Sequence, residues 1–271
     1  MKMSIFMDHV CEAARQTGKT VDEVLSLARG FGFEALDCSV SHAEGKPEAF
    51  AARLSGHGLV VASAYQTFDF GHVINESEIA ACVQAVAAMG SRNLLLIPGF
   101  VPKGEENCRE ALLSGMLRGT ELVCRAAEKV GVTVSLEDFD NVIAPFSTIE
   151  GLRWFLERVP ALGLTLDTGN FLYSAQSVLD AMDALGDRIV HVHLKDRSLS
   201  PVQGEEPLEA VDGQRLYASA VGGGCIPMAK VLRRLKAQGY DGFLAAEHFG
   251  SLNQLRDMEL SARWIAAQWN A

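Results

Sequence analysis

Short β-rich apolar runs alternate along this chain with longer segments in which apolar residues recur every three to four positions. The short runs are Ser4–Met7, Glu34–Cys38, Leu59–Ala64, Asn93–Ile97, Val132–Glu137, Leu162–Asp167, Ile189–Leu194 and Gly242–Glu247. Helical spacing occupies Val21–Arg29, Ser77–Met89, Cys108–Val130, Ser147–Arg158 and Ile226–Gln238. Several helical segments reach a glycine just before the next run (Gly30, Gly90, Gly131, Gly239), and glycine ends a helix in the left-handed conformation without steric cost. Strands alternating with helices predict a parallel sheet. Eight of them suit closure into a (β/α)8 barrel, one of the few folds that spends about 250 residues on a single domain. The expectation is one domain over residues 1–271.

Alternation along each strand then sorts the polar residues. With Val132, Val134 and Leu136 facing the helices, Thr133, Ser135 and Glu137 point into the barrel. The same rule turns Gly163, Thr165 and Asp167 inward on the sixth strand, and His191 and His193 on the seventh. On the eighth it turns Phe243, Ala245 and Glu247 inward. Glu137, Asp167, His193 and Glu247 thus converge at the C-terminal mouth, where barrels of this kind carry their sites. Three carboxylates at one mouth repel, and a divalent cation resolves the repulsion. Each residue alone has an ordinary alternative. Asp167, before Thr168-Gly169-Asn170, could cap a helix. His191 reads as a core histidine bonded to backbone, His248 as a histidine of the outer face, and His9, His42, His57 and His72 as structural or surface residues.

Composition narrows the class. Hydrophobic residues make up 48% of 271, enough for a large core, and no apolar run approaches membrane-spanning length. The first eight residues do not read as a signal peptide. The six cysteines are scattered with no C-x-x-C pair, the pattern of reduced thiols in a cytoplasmic protein rather than a disulfide or zinc scaffold. A formal net charge of −10 argues against a nucleic-acid surface.

Four strings in order, Val134-Ser-Leu-Glu-Asp-Phe139, Leu164-Thr-Leu-Asp-Thr-Gly-Asn-Phe171, His191-Val-His-Leu-Lys-Asp196 and Gly239-Tyr-Asp-Gly-Phe-Leu-Ala-Ala-Glu247, resemble the xylose isomerase-like sugar isomerase/epimerase superfamily. That superfamily of TIM barrels includes ketose 3-epimerases, hydroxypyruvate isomerase, inosose dehydratase and apurinic endonuclease family 2. The resemblance is concentrated between Val132 and Glu247. It implies that Glu137, Asp167, His193 and Glu247 are metal ligands, and that Glu137 and Glu247 move protons. Asn170 stands where many relatives have a substrate-touching histidine. Leu199 stands where some ketose epimerases have an arginine, so that Lys195, Asp196 or Arg197 would serve instead. The endonuclease branch carries extra histidines at the ends of the third and fourth strands. Here those regions read Ala62-Ser-Ala-Tyr-Gln66 and Leu95-Leu-Ile-Pro-Gly99, against action on DNA.

The implied reaction is proton transfer on a ketose or sugar phosphate through an enediolate, with one divalent ion as Lewis acid. An oxygen-rich ligand set suits Mn2+ first, with Mg2+, Co2+ and Zn2+ as the other choices. The alternatives are an inosose- or dehydroshikimate-type dehydratase on the same site, and a non-catalytic sugar-binding barrel. The partner is a small carbohydrate, and a homodimer or homotetramer follows from the resemblance only.

The long segment from Asp196 to Gly224 is expected to be a lid or a solvated excursion, with Arg197 or Arg215 near a polar end of the substrate. Gly222-Gly-Gly224 lacks dinucleotide-loop spacing and reads as a flexible turn before a helix near Ile226, with a backbone phosphate contact as its other use. Tyr65, Phe68, Phe100 and Phe139 are candidates for an apolar wall, and Tyr65 for substrate contact.

Overall fold

The computed structural model describes residues 1–270. Its strands are β1 (Lys2–Phe6), β2 (Ala35–Ser39), β3 (Val60–Thr67), β4 (Asn93–Ile97), β5 (Thr133–Glu137), β6 (Leu162–Asp167), β7 (Ile189–Ser198), β8 (Leu208–Glu209), β9 (Arg215–Ser219) and β10 (Phe243–Glu247). Strands β1 to β7 lie side by side in parallel. β10 pairs in parallel with both β1 and β7, which closes the ring as an eight-stranded barrel. The helices are α1 (Met7–Thr17), α2 (Val21–Phe31), α3 (Pro47–Gly56), α4 (Glu76–Ala88), α5 (Arg109–Glu128), α6 (Ile149–Arg158), α7 (Asn170–Tyr173), α8 (Val178–Leu185), α9 (Met228–Ala237) and α10 (Gln254–Asn270).

The two-residue period explains the layering. Leu136, Leu164, Leu166, Val192, Leu194 and Leu244 are buried between strands and helices. The other face points into the barrel, where Ser135 and Thr165 share a hydrogen bond of 2.7 Å and Asn93 Nδ2 donates to Ser63 Oγ at 2.8 Å. The helices begin where side chains supply acceptors for free backbone N–H groups: Thr20 with Glu23 forms a reciprocal box at α2, and Asn75, Thr148 and Ser177 cap α4, α6 and α8.

Three expectations are corrected. The first strand starts at Lys2 and ends at Phe6, and Met7 opens a helix instead of closing a strand. At the foot of β7 the pairing with β6 jumps from Leu164–Ile189 to Thr165–His191, so the alternation breaks and Val190 stands unpaired and part-exposed. The segment from Asp196 to Gly224 is not a loop at first: β7 runs on past Leu194 to Ser198 and pairs antiparallel with β9, which pairs in turn with β8. Arg215 is exposed on that outer hairpin and does not line the cavity at the barrel mouth.

Among the described residues, no helix is long and apolar enough to cross a membrane.

Candidate active site

Glu137 ends β5, Asp167 ends β6, Glu247 ends β10, and His193 lies opposite Asp167 and Ala245 in the pairing of β7. One ligand atom from each of the four lies within 4.8 Å of the others, and all four residues are buried. His193 Nδ1 is pressed against Glu137 Oε1 and lies 3.4 Å from Glu247 Oε2. Asp167 divides its carboxylate. Oδ1 accepts from the backbone N–H groups of Gly169 and Asn170, each at 2.7 Å, while Oδ2 has no hydrogen-bond partner. One oxygen therefore caps the turn into α7, and the other is left free beside the cluster.

Unpartnered atoms mark the cluster as a metal-fitting one. Glu137 Oε1, Asp167 Oδ2 and His193 Nδ1 are buried without hydrogen bonds, which is costly for polar atoms unless something else coordinates them. Three oxygens and one imidazole nitrogen form a set that Mn2+, Mg2+, Co2+ or Zn2+ accepts.

Burial pushes the Glu137 carboxyl up, with Asp167 adding to the effect and His193 opposing it. Burial likewise raises Asp167, to about 6, against the pull of Lys195. For His193 burial favours the neutral ring, but Glu137, Asp37 and Glu247 together hold it well above the usual imidazole range.

Lys195, next inward on β7, lies with Nζ 2.5 Å from Glu247 Oε1, 3.5 Å from Asp167 Oδ2 and 2.7 Å from Asn170 Oδ1. Asn170 in turn donates through Nδ2 to the Asp138 carbonyl at 2.9 Å. Gly169 lets α7 approach: a Cβ there would come within 2.7 Å of the Lys195 carbonyl oxygen. These residues open onto a cavity of about 290 Å³ lined by Glu137, Asn170, His193, Lys195, Asp140 and Glu247 on its polar side. Its apolar wall is Phe6, Tyr65, Phe139, Phe249, Leu95 and Ile97.

The other sequence-predicted residues fall differently. Tyr65 lines the cavity, with its hydroxyl donating to the Asp8 carboxylate. Phe68 stacks on Phe70 at 4.5 Å and, with Phe100, lines a neighbouring groove instead. Arg197 is buried beside the cavity and donates to Asp140 Oδ2 at 2.9 Å. Asp196 points away from the cavity. Its carboxylate accepts from the backbone N–H groups of Arg197, Gly222, Gly224 and Ile226 at 2.9 to 3.1 Å. That occupies the glycine run, whose N–H groups are thereby turned from any phosphate, and α9 begins only at Met228.

His191 is a core histidine, but its partner is a side chain and not backbone: Nε2 contacts Asp37 Oδ2 at 2.5 Å. His248 is buried, bonded through Nδ1 to Gln254, and its N–H donates to His9 Nε2 at 2.9 Å.

Sequence reasoning missed Asp37, Asp138, Asp140, Phe6 and Phe249. Asp37 carries a usable signal, a lone carboxylate inside the apolar strand Ala35–Ser39, fully buried in the structure. Burial would raise its carboxyl, but His191 and His193 hold it well below the usual range. Asp138 is buried with both carboxyl oxygens unpartnered, and burial raises it well above that range.

A profile of the family described as xylose isomerase-like TIM barrel matches residues 25–268, and the chain belongs to that family. An uncharacterised protein of Methanocaldococcus jannaschii is 23% identical over 194 residues, which cover 69% of this chain and 61% of that protein. This chain's match thus spans about three-fifths of that relative's length. Among solved structures, a D-allulose 3-epimerase from a Methylomonas species superposes with a TM-score of 0.75 at 14% identity, covering 99% of this chain and 98% of that one. The IolI protein, solved with a zinc atom bound, also gives 0.75, at 16% identity over 100% of this chain and 98% of that one. At such identities the superpositions establish the fold.

Proposed function

We propose that this chain is a divalent-metal-dependent isomerase or epimerase that moves a proton beside the carbonyl of a small ketose. The reading rests on one observation: Glu137, Asp167, His193 and Glu247 bring their ligand atoms within 4.8 Å of one another at the barrel mouth, with Glu137 and Glu247 both open to the cavity. The names of two superposed structures, a ketose epimerase and a protein holding zinc, support it.

Glu137, Asp167, His193 and Glu247 would hold the ion, Mn2+ being our first choice, and the ion would supply Lewis-acid polarisation of the substrate carbonyl. The chain's own groups do the rest. One of Glu137 and Glu247 takes the proton from the carbon next to the carbonyl, and the other returns one. General acid–base assistance of this kind contributes about 10²–10⁴-fold. Lys195 and Asn170 present a donor and an amide to the substrate's hydroxyl oxygens. Phe6, Tyr65, Phe139 and Phe249 cover the apolar faces of the sugar and exclude water. A cavity of about 290 Å³ sits at the small end of ligand pockets, which suits a single sugar unit.

The test is proton exchange in deuterated water. Metal-loaded protein is incubated with a panel of ketoses, and NMR follows deuterium at the carbon next to the carbonyl. Incorporation that is lost in Glu137→Gln and Glu247→Gln supports the proposal. A panel with no exchange, or undiminished exchange in either variant, overturns it. Loss of water with growth of an enone absorbance assigns the site to a dehydratase.

A further inference from the structure

His193 has a different neighbour at each ring nitrogen. Nδ1 faces Glu137 and Glu247, inside the four-residue cluster. Nε2 faces the other way, 3.3 Å from Oδ2 of Asp37. The same Oδ2 is held by His191 Nε2 at 2.5 Å, and the two imidazole rings stand perpendicular with centroids 5.2 Å apart. The Phe6 ring meets His193 edge-on at 4.8 Å and limits its rotation. Asp37 is buried and absent from the cavity lining, so it does not meet substrate and reaches the cluster only through His193 Nε2.

A neutral imidazole carries one N–H and one lone pair. If Nε2 carries the proton toward Asp37, the lone pair is on Nδ1 and aimed at the cluster. With an ion in the cluster, the opposite tautomer would aim an N–H at the ion and a lone pair at the Asp37 carboxylate, unfavourable on both sides. We infer that Asp37 is a positioning residue, which fixes the tautomer and orientation of His193 for coordination through Nδ1, with His191 bracing the Asp37 carboxylate. This rests on the metal-dependent reading above. A carboxylate behind a metal-binding histidine raises ligand basicity as well as fixing the ring.

Asp37, His191 and His193 could also be read as a second cation site, since their ligand atoms too lie within 4.8 Å of one another. The 2.5 Å contact between Asp37 Oδ2 and His191 Nε2 argues otherwise. Ligand atoms each about 2.0 Å from one ion in tetrahedral geometry stand further apart than a hydrogen-bonded pair.

The experiment has two readouts on full-length protein. Ion stoichiometry and affinity for Co2+ and Zn2+ are measured by chelator competition for wild type, Asp37→Ala and Asp37→Asn, with the Co2+ visible spectrum recorded. Imidazole tautomers are read by ¹⁵N NMR of Zn2+-loaded wild type, in which a coordinated ring nitrogen carries no proton. We expect one ion per chain, an affinity lower by about 10–100-fold in Asp37→Ala with an altered Co2+ spectrum, and partial rescue in Asp37→Asn, whose amide oxygen still accepts from Nε2–H. The NMR should show the proton of His193 on Nε2. Wild-type affinity and spectrum in a folded Asp37→Ala would overturn the inference, as would a proton on Nδ1. Two ions per chain, one lost with Asp37, would replace the brace by a second cation site. If wild type binds no ion, the metal-dependent function fails and this inference falls with it, whereas an ion bound equally well by wild type and Asp37→Ala leaves the function standing and overturns the inference alone. Should Asp37→Ala not fold, the Asp37→Asn variant and the wild-type spectra carry the test.

Discussion

The Lys195 ammonium lies 2.5 Å from Glu247 Oε1, so one of the four converging residues is already paired with a cation from the chain itself. Burial alone would strip the charge from that lysine, but Asp167, Glu247 and Asp140 hold its pKa above the ordinary lysine value. On the proposed metal-dependent reading, Lys195 and a divalent ion would compete for the same carboxylates.

That competition predicts opposite effects of Lys195→Met on the metal-free and metal-loaded protein. Methionine keeps much of the side-chain volume but leaves buried Asp167 and Glu247 without their counter-charge. Removing one partner of a buried ion pair costs about 3–5 kcal/mol, so the metal-free variant should unfold at lower urea concentration. A divalent ion should restore most of the loss and should bind several-fold more tightly than to wild type. Urea titrations with and without Mn2+ check both halves. Weaker ion binding in the variant would show that Lys195 supports the ion instead of opposing it.

Acidity should separate the metal-free and loaded forms. Asp167 is raised to about 6 in the folded chain, above the ordinary 3.8. A carboxyl raised on folding binds its proton more tightly in the native state, so its contribution favours the metal-free fold as pH falls through about 6 toward 4. Ligands must be deprotonated to take the ion, so ion affinity should fall over the same range. Thermal melts with and without saturating Mn2+ should therefore converge below about pH 6 and diverge above it, and His193→Ala should abolish the difference. At a hundredfold excess over the dissociation constant the ion adds about 2.7 kcal/mol. A gap that widens on acidification would contradict the assignment of Asp167 as ligand.

The convergence of Glu137, Asp167, His193 and Glu247 was legible because a strand's two-residue period and a barrel's polarity are both local rules. Each strand could be read by itself, and the mouth then followed. The pairing of His191 with Asp37 was not legible in that way. Its partners are 154 residues apart, and only the closed ring brings β2 and β7 across the barrel from one another. The helix Met7–Thr17 escaped notice because it follows β1 directly, with no turn residue between them and no capping side chain at Phe6 to mark its start. The hairpin after β7 was hidden by its brevity: Glu209 faces Arg215 beside the apolar pair Leu208 and Leu216, and a two-residue strand is too short to show a period. Asp196 sat in a string that suggested substrate contact, yet its carboxylate turns to backbone N–H groups that precede α9.

A surface latch gives a pH dependence of the same sign in a more alkaline window. His72 reaches Asp69 through Nδ1 at 2.8 Å and Glu105 through Nε2 at 2.7 Å, tying the segment after β3 to the one after β4. Hydrogen bonds donated by its ring to Asp69 and Glu105 raise its pKa to about 9. A histidine raised on folding contributes stability that is fully present below its unfolded pKa, about 6.5, and lost as pH rises through about 9. The latch is exposed, so the effect should be small and screened by salt. Wild type should melt slightly above His72→Ala at neutral pH, and the two should coincide above about pH 9. A difference that persists at alkaline pH would mean that His72 acts by packing and not by charge.

Asp196 should matter for folding of the barrel mouth and not for contact with substrate. Its two carboxylate oxygens gather four backbone N–H groups, from Arg197, Gly222, Gly224 and Ile226, and so fasten the turn before α9 to the end of the barrel strand β7. Alanine at this position would leave buried or half-buried donors without acceptors, at about 1–3 kcal/mol for each one that water cannot reach. A loss of roughly 2–4 kcal/mol in urea denaturation is expected for Asp196→Ala, with Asp196→Asn intermediate because one amide oxygen still accepts. Ion affinity should change little in either variant, since the ligand set does not include Asp196. A stable Asp196→Ala protein with weakened sugar binding would return this residue to the substrate pocket, the place its position after His191-Val-His-Leu-Lys first suggested.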